Sequence, residues 1–182
     1  MIILNSFKKY IALIVCFYCK LIYFRKLDIR MPSLSFSFFP FHLYQNSKTL
    51  IGKKAIISRH CKIISKGIIT IGDNFFINEF SRIVAFENII IGNNVTIAQF
   101  VTILDHDHDY NLVDGNLILN GYNTKAIVIG DNVWIGDKVT ICKGVTVGNN
   151  VIIGANSVVT KNIPSNQIVA GSPVKLLKEI SG

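Results

Sequence analysis

An aliphatic, β-branched residue returns every six positions along most of the chain from Ile51 onward. A single amphipathic strand would repeat every two residues and a helix about every 3.6, so a period of six fits neither. It predicts instead a very short strand followed by a turn, with one large aliphatic side chain pointing inward in each block. The first residues of the blocks are Ile51, Ile57, Ile63, Ile71, Ile77, Ile83, Ile91, Ile97, Ile103, Ile129, Ile135, Ile141, Val147, Ile153 and Val159.

The spacing between these blocks groups them into coils. Three blocks span 18 residues, which make one closed triangular turn with three short sides. The register predicts five coils, which begin at residues 51, 71, 91, 129 and 147. Residues 105–124 do not follow the repeat and predict a loop of about twenty residues that leaves the third coil. Glycine is frequent at the second position of a block, where we expect corners with positive φ.

The first thirty residues have a different pattern. Tyr10–Cys19 is an unbroken apolar run of ten residues, whereas a membrane-spanning helix needs roughly 20. Because basic residues flank this run, we expect a helix with one of two roles. It either contacts an anionic membrane surface through residues 5–27, or it packs against the domain or a partner subunit. The flanking basic residues are Lys8, Lys9, Lys20, Arg25 and Lys26.

These patterns divide the chain into two parts. Residues 1–48 contain the basic and apolar helix and a connector, which we expect to be irregular over residues 31–48. Residues 49–182 contain the β-helix and a C-terminal tail, in which Ser172–Ile180 predicts a short helix after Pro173.

Composition agrees with one folded domain and restricts its partners. The chain has 182 residues, of which 50% are hydrophobic and 16% charged, and this excludes a disordered chain. The formal net charge of +8 favours anionic partners such as a membrane face or a phosphorylated cofactor. Nucleic acid is not expected, because the sequence has no nucleic-acid-binding motif. The four cysteines fit neither a zinc site nor a disulfide framework, so we expect reduced thiols in the cytoplasm.

The C-terminal third carries a more specific signal than the repeat alone. Its strongest motifs are "NVWIG", "GANSVVTKNIP" and "VAGSPVK", all within Ile129–Lys175. With the repeat, they resemble the hexapeptide-repeat acyltransferases, in the branch of the maltose, galactoside and polysaccharide O-acetyltransferases. The resemblance implies an all-β, left-handed parallel β-helix. It also implies acetyl-CoA as co-substrate, no metal, and a homotrimer with the acetyl-CoA groove between two subunits.

The resemblance also assigns residues to acetyl-CoA. In this assignment, Trp134 lies beside the thioester, and Asp137 and Ala155 flank the pantetheine arm. Thr160, Lys161 and Lys175 lie toward the nucleotide, where lysines suit phosphates.

Two histidines stand where the repeat breaks, in "VTILDHDHDYN". O-acetylation needs a base that takes a proton from an alcohol and later returns it to the thiolate, and histidine suits both steps. In the family this histidine is the sixth residue of the block where the loop leaves. Counting from Ile103 places His108 there, and His106 is the alternative. An aspartate could orient the imidazole, and the candidates are Asp105, Asp107 and Asp109.

The block Ile77–Arg82 supplies a further candidate. Members of the family carry asparagine at its second position, where it contacts the acceptor hydroxyl, and Asn78 matches. An amide donor there could also stabilise the developing oxyanion.

The sequence therefore predicts an acetyl-CoA-dependent O-acetyltransferase. The expected acceptor is a sugar hydroxyl of a capsular, lipopolysaccharide or other surface glycan, attacked directly in a ternary complex. Three alternatives remain open. They are an acetyltransferase of a small acceptor, a carbonic anhydrase-like prism with a metal held by histidines such as His60, His106 and His108, and a non-catalytic scaffold.

Overall fold

The six-residue repeat folds into three parallel sheets that form the sides of a triangular prism, a left-handed β-helix. The computed structural model describes residues 2–23, 25–30, 34–35 and 40–181. Each of six coils contributes one strand to sheet A, one to sheet B and one to sheet C. A seventh, partial coil adds a bridge between Val147 and Ile163 on sheet A and one strand on sheet B.

The strands are numbered along the chain. Coils 1 to 3 contain β1 (Leu27–Ile29), β2 (Leu34–Ser35), β3 (Phe41–Leu43), β4 (Lys48–Ile51), β5 (Ile56–Ile57), β6 (Lys62–Ser65), β7 (Ile68–Ile71), β8 (Phe76–Ile77) and β9 (Arg82–Ala85). Coil 4 contains β10 (Asn88–Ile91), β11 (Thr96–Ile97) and β12 (Thr102–Leu104), and a hairpin follows with β13 (His106–Val113) and β14 (Asn116–Thr124). Coils 5 to 7 contain β15 (Ile127–Ile129), β16 (Trp134–Ile135), β17 (Thr140–Ile141), β18 (Thr146–Val147), β19 (Ile152–Ile153), β20 (Val158–Val159) and β21 (Gln167–Ala170), and β22 (Lys175–Glu179) ends the chain.

The core is a set of aliphatic columns. On sheet A, Ile51, Ile71, Ile91, Ile129 and Val147 occupy one register position in successive coils. Every residue that the sequence predicts to point inward is at most 2% exposed, so this prediction is confirmed. The alternation is the ordinary one of a strand, in which successive side chains point to opposite faces.

Two sequence predictions about the ends of the prism are wrong. The predicted five coils omit coil 1, which is built from β1 to β3, and the partial coil 7. Part of the predicted connector is therefore strand, while its residues 31–33 and 36–39 lie outside the described residues. The predicted C-terminal helix is instead β22, which pairs antiparallel with β21. Backbone pairing with an unpaired strand edge outweighed the local helix signal there.

At the corner between sheets A and B, the glycines do not adopt the positive φ that the sequence predicts. Positive φ values lie two residues after the glycines, at Lys54 and at asparagines such as Asn94 with φ 55°. Glycine is needed because the stacked corners approach closely: a Cβ on Gly92 would lie 2.8 Å from the backbone of Gly130. The asparagines form a ladder of side-chain hydrogen bonds 2.8 to 3.1 Å long through Asn74, Asn94, Asn132, Asn150 and Asn166.

The predicted N-terminal helix is present as α1 (Ile2–Ile22) and covers the coil 1 end of the prism. It contacts β1 and β2, and the hydroxyl of Tyr23 donates a 2.8 Å hydrogen bond to the carbonyl of Phe41 in β3. Ala12, Cys16 and Cys19 face the prism and are each 1% exposed. Within the described ranges, no helix has the length and apolar character that a membrane span requires.

Candidate functional site

The hairpin β13–β14 leaves the prism at the corner between sheets C and A in coil 4. Its strands pair from His106 opposite Thr124 to Val113 opposite Asn116, so the predicted loop is an ordered ribbon. The chain re-enters the prism beside the point where it left, because the backbone N–H of Lys125 donates to the carbonyl of Asp105 at 2.8 Å. Both candidate histidines therefore lie at the base of the hairpin.

Asp105 is a fully buried carboxylate at that base. It accepts hydrogen bonds from the backbone N–H groups of Phe86, Glu87 and Asn88 at 2.8, 2.8 and 2.9 Å. These donors lie at the corner where coil 3 passes into coil 4, which carries two more residues than the six-residue period requires. Its Oδ1 also lies 3.3 Å from Nδ1 of His106. These four hydrogen-bond partners offset the free-energy cost of burying the charge.

The imidazole of His106 is held on several sides. Its ring stacks on Phe86 with centroids 3.6 Å apart and meets the edge of Tyr122 at 5.6 Å. Its side chain is 16% exposed. A carboxylate can only accept, so the hydrogen between the two residues belongs to Nδ1 of His106. The tautomer that results leaves the lone pair on Nε2, the nitrogen that can act as a base.

His108 has a different environment. Its ring is exposed and packs at 4.8 Å against Tyr122, its partner in the hairpin register. The neighbouring Asp107 forms a 2.6 Å ion pair with Lys143 instead of contacting a histidine. Asp109 is exposed. Of the three aspartates that the sequence offers as orienting groups, Asp105 is the one that contacts an imidazole.

Asn78 lies at another corner of the prism, between sheets B and C in coil 3. Its side-chain oxygen accepts a 2.8 Å hydrogen bond from the backbone N–H of Glu79, which leaves Nδ2 as the donor for a ligand. Strand β9 of sheet C separates this corner from the corner of Phe86. The structure therefore does not bring Asn78 and His106 together within one chain.

The residues assigned to acetyl-CoA lie on two sides of the prism, near the corner of Asn78 and near the corner that carries the hairpin. Trp134 lies on sheet B, is 54% exposed and borders a shallow depression of about 410 Å³. Asp137 and Ala155 are exposed at the corner between sheets B and C, and Oδ1 of Asp137 accepts the backbone N–H of Gln99 at 2.9 Å. Lys175 is paired with Ala170 near this corner. Thr160 and Lys161 follow β20 and lie at the edge that carries the hairpin.

Three residues around His106 were not predicted from the sequence: Lys66, Phe86 and Tyr122. The amine of Lys66 lies 3.9 Å from the ring centroid of Phe86 and 5.1 Å from that of Tyr122. These residues lie outside the six-residue pattern. The available signal was the two-residue excess at the corners of coils 2 and 3, directly below the loop in the stack.

Of the remaining histidines and cysteines, Cys142 lies near this base, where burial and then the charge of Asp107 raise the pKa of its thiol. His60 stacks at 4.8 Å on Phe80, at the corner between sheets B and C. Among the residues that the structure describes, no group of three or more His, Cys, Asp or Glu side chains could hold a metal ion. None of the four cysteines forms a disulfide bond. Burial raises the pKa of Cys16 to about 12 and that of Cys61 to about 11.

Comparison with known proteins finds the same repeat and fold. Residues 126–161 match the family model for the bacterial transferase hexapeptide (six repeats). Over 121 residues the chain is 36% identical to a protein of Escherichia coli (strain K12) that carries the name lipopolysaccharide biosynthesis O-acetyl transferase WbbJ. This match covers 63% of the chain and 62% of that protein.

Two solved structures extend the comparison. A galactoside acetyltransferase in complex with coenzyme A is 42% identical, with a TM-score of 0.56, over 62% of this chain and 56% of that one. The polysialic acid O-acetyltransferase OatWY is 26% identical, with a TM-score of 0.61, over 85% and 86%. The chain thus spans less than two thirds of the WbbJ protein and of the galactoside acetyltransferase. The predicted resemblance to the hexapeptide-repeat proteins is confirmed.

Proposed function

We propose that this chain, a hexapeptide-repeat β-helix, is an acetyl-CoA-dependent O-acetyltransferase that acts on a sugar hydroxyl of a surface glycan or its precursor. The observation that carries the proposal is the pair formed by buried Asp105 and His106 at the base of the hairpin. The similarity to proteins named as galactoside, lipopolysaccharide and polysialic acid acetyltransferases supports a sugar acceptor.

His106, rather than the predicted His108, is the general base in this proposal. Asp105 holds its Nδ1, so Nε2 takes the proton of the acceptor hydroxyl as the oxygen attacks the thioester carbonyl. The tetrahedral intermediate then collapses, the C–S bond breaks, and the imidazolium returns the proton to the thiolate of coenzyme A. The charged imidazolium is stabilised by the carboxylate. His108 lacks such a partner among the described residues.

The reaction centre lies between two subunits of a homotrimer in this proposal. His106, Thr160 and Lys161 lie at the corner between sheets C and A. Asn78 lies at the corner between sheets B and C, and Trp134 lies on sheet B. A cyclic trimer can place the first corner of one copy against the second corner of its neighbour. The hairpin supports such contacts, because Leu112, Leu117 and Leu119 are 74, 64 and 57% exposed and need cover.

Acetyl-CoA then binds along this junction. Trp134 contacts the thioester end, Asp137 and Ala155 flank the pantetheine arm, and Nδ2 of Asn78 donates to the acceptor hydroxyl or to the oxyanion. Positive charge for the nucleotide phosphates comes from both edges, with Lys175 on one and Lys161 on the other. The chemistry requires no metal. We place the enzyme in the cytoplasm, where its free thiols stay reduced.

A turnover assay tests the proposal. The full chain is incubated with acetyl-CoA and a panel of acceptors that includes galactosides, sialic acid oligomers and lipopolysaccharide fragments, and free thiol is measured. We expect thiol release that requires both a sugar acceptor and His106. Coenzyme A should also raise the melting temperature, because a ligand of the folded state stabilises it by mass action. Absence of both effects would leave a non-catalytic prism, and a melting shift without turnover on any sugar would point to another acceptor class.

A further inference from the structure

We propose that the outer face of α1 docks the protein on the surface of an anionic lipid bilayer. This outer face consists of Tyr10, Ile14, Phe17, Tyr18 and Leu21, which share one side of the helix at spacings of three and four residues. Their exposed fractions are 68, 65, 60, 54 and 58%. The inference is independent of the proposed acetyl transfer.

The opposite side of α1 is equally apolar but is already used. Ala12, Cys16 and Cys19 are buried against coil 1, and Tyr23 ties the end of the helix to Phe41. A helix that is apolar on all sides is normally buried on all sides. Because the inner face belongs to the protein core, α1 cannot turn its outer face inward without exposing Cys16 and Cys19. The outer face therefore needs a partner outside the chain.

The charge of the N-terminal segment identifies that partner. The first 30 residues contain six basic residues and one acidic residue, whereas the whole chain contains 19 and 11. The acidic one, Asp28, is paired with Lys20 at 3.1 Å, and Arg25 is exposed just beyond the helix. Basic groups beside an apolar helix face match the headgroup and acyl regions of an anionic bilayer. Tyrosines suit this boundary because each has an apolar ring and a polar hydroxyl.

A second copy of the chain fits the outer face less well. In the proposed trimer the copies meet along the corners of the prism, whereas α1 packs on coil 1 at its end. Two outer faces brought together would also bring the basic residues of both copies together, and the like charges would repel. An anionic bilayer offers the opposite charge and an apolar interior at once. The geometry thus places the base of the prism on the membrane, with the coils stacked away from it.

Vesicle co-sedimentation of the full chain tests this proposal. Phosphatidylcholine vesicles are compared with vesicles that also contain about 30% phosphatidylglycerol. The test variant is Phe17→Gln/Leu21→Gln, and the matched control is Leu176→Gln/Leu177→Gln, which removes two comparably exposed apolar side chains from β22 at the other end of the prism. Circular dichroism and melting temperature verify that each variant is folded, and light scattering gives its oligomeric state.

We expect wild type and the control to bind the anionic vesicles, more weakly at about 0.5 M salt, and the α1 variant to bind at least about tenfold more weakly. An Arg25→Glu variant should lose binding without loss of fold. Equal binding by wild type and the α1 variant would overturn the proposal. So would a wild type that ignores vesicles while the α1 variant dissociates an oligomer, since the outer face would then be an interface between copies.

Discussion

Oδ1 of Asp105 lies 3.3 Å from Nδ1 of His106, and the same carboxylate is anchored by three backbone N–H groups at the corner between coils 3 and 4. The imidazole is thereby tied to the rigid prism rather than to the hairpin alone. Stacking on Phe86, which belongs to the same coil as the donors, restricts its rotation further. A general base requires this kind of positioning, because the transition state tolerates little misalignment.

The first prediction separates the two histidines. His106→Ala should lower kcat by roughly 10²–10⁴, the usual contribution of a general base, with a small effect on KM for acetyl-CoA. His108→Ala, two residues along the same strand, should leave kcat close to wild type. Steady-state thiol release measures both. The reverse ranking would restore His108, the residue that the repeat count predicts.

The second prediction concerns the tautomer of His106. Asp105→Asn keeps the shape of the side chain but places an N–H₂ group where the carboxylate accepts backbone hydrogens. We expect kcat to fall at least about tenfold, because the ring is no longer held with its proton on Nδ1. The pH profile of kcat should change as well, which a purely structural role would not cause at temperatures well below melting. Asp107→Asn is the control, because it removes an exposed ion pair with Lys143.

A third prediction tests the site between subunits. Asn78→Ala and His106→Ala chains should each be inactive alone. When the two are co-expressed, random mixing gives about a quarter of the interfaces an intact asparagine from one copy and an intact histidine from the next, so about a quarter of wild-type activity should return. Purification through two different tags isolates the mixed trimers, in which one interface of three is intact, so their activity should be about a third of wild type. Failure to regain activity would place both residues in a site within one chain, against the topology of the prism.

The asparagine ladder carries a fourth prediction. Asn132 has φ 57°, donates to Asn150 and accepts from Asn94 at 3.1 and 3.0 Å. Asn132→Ala should reduce the free energy of unfolding by about 1–2 kcal/mol, because alanine is strained at this φ. Asn132→Gly should cost less, since glycine adopts positive φ without strain. Urea denaturation compares the variants, and an alanine variant as stable as wild type would contradict the role of φ.

The buried cysteines give a fifth prediction with a defined pH dependence. Burial, and then the charge of Cys19, raises the pKa of Cys16 from 9.0 to about 12. The reactive thiolate is thus scarce below that pH, and alkylation of Cys16 in the folded protein at pH 8 should be far slower than in urea. Above pH 9 the unfolded chain loses these thiol protons first, so stability should decline as pH rises toward 12. Mass spectrometry and pH-dependent melting measure the two effects. Rapid labelling of Cys16 at pH 8 would mean that α1 does not stay docked.

The sequence by itself determined the prism. The inward first residue of each block, from Ile51 to Val159, could be identified from the period of six because burial of one β-branched side chain per short strand is a local requirement. The ends were harder to predict. Coil 1 and β22 do not carry the period, and they form because a prism end presents unpaired strand edges and an open core that other segments cover.

Only the tertiary structure distinguished the surroundings of the two histidines at the hairpin. Counting along the chain favours His108, since the count assumes that the repeat continues to the histidine. In the folded molecule the chain leaves the prism at Asp105, so the buried carboxylate meets His106 and not His108. Likewise, no spacing could show that Asn78 and His106 lie on different edges. That separation follows from the closure of three sheets into a triangle. The closure determines which residues far apart in sequence come into contact and which stay apart.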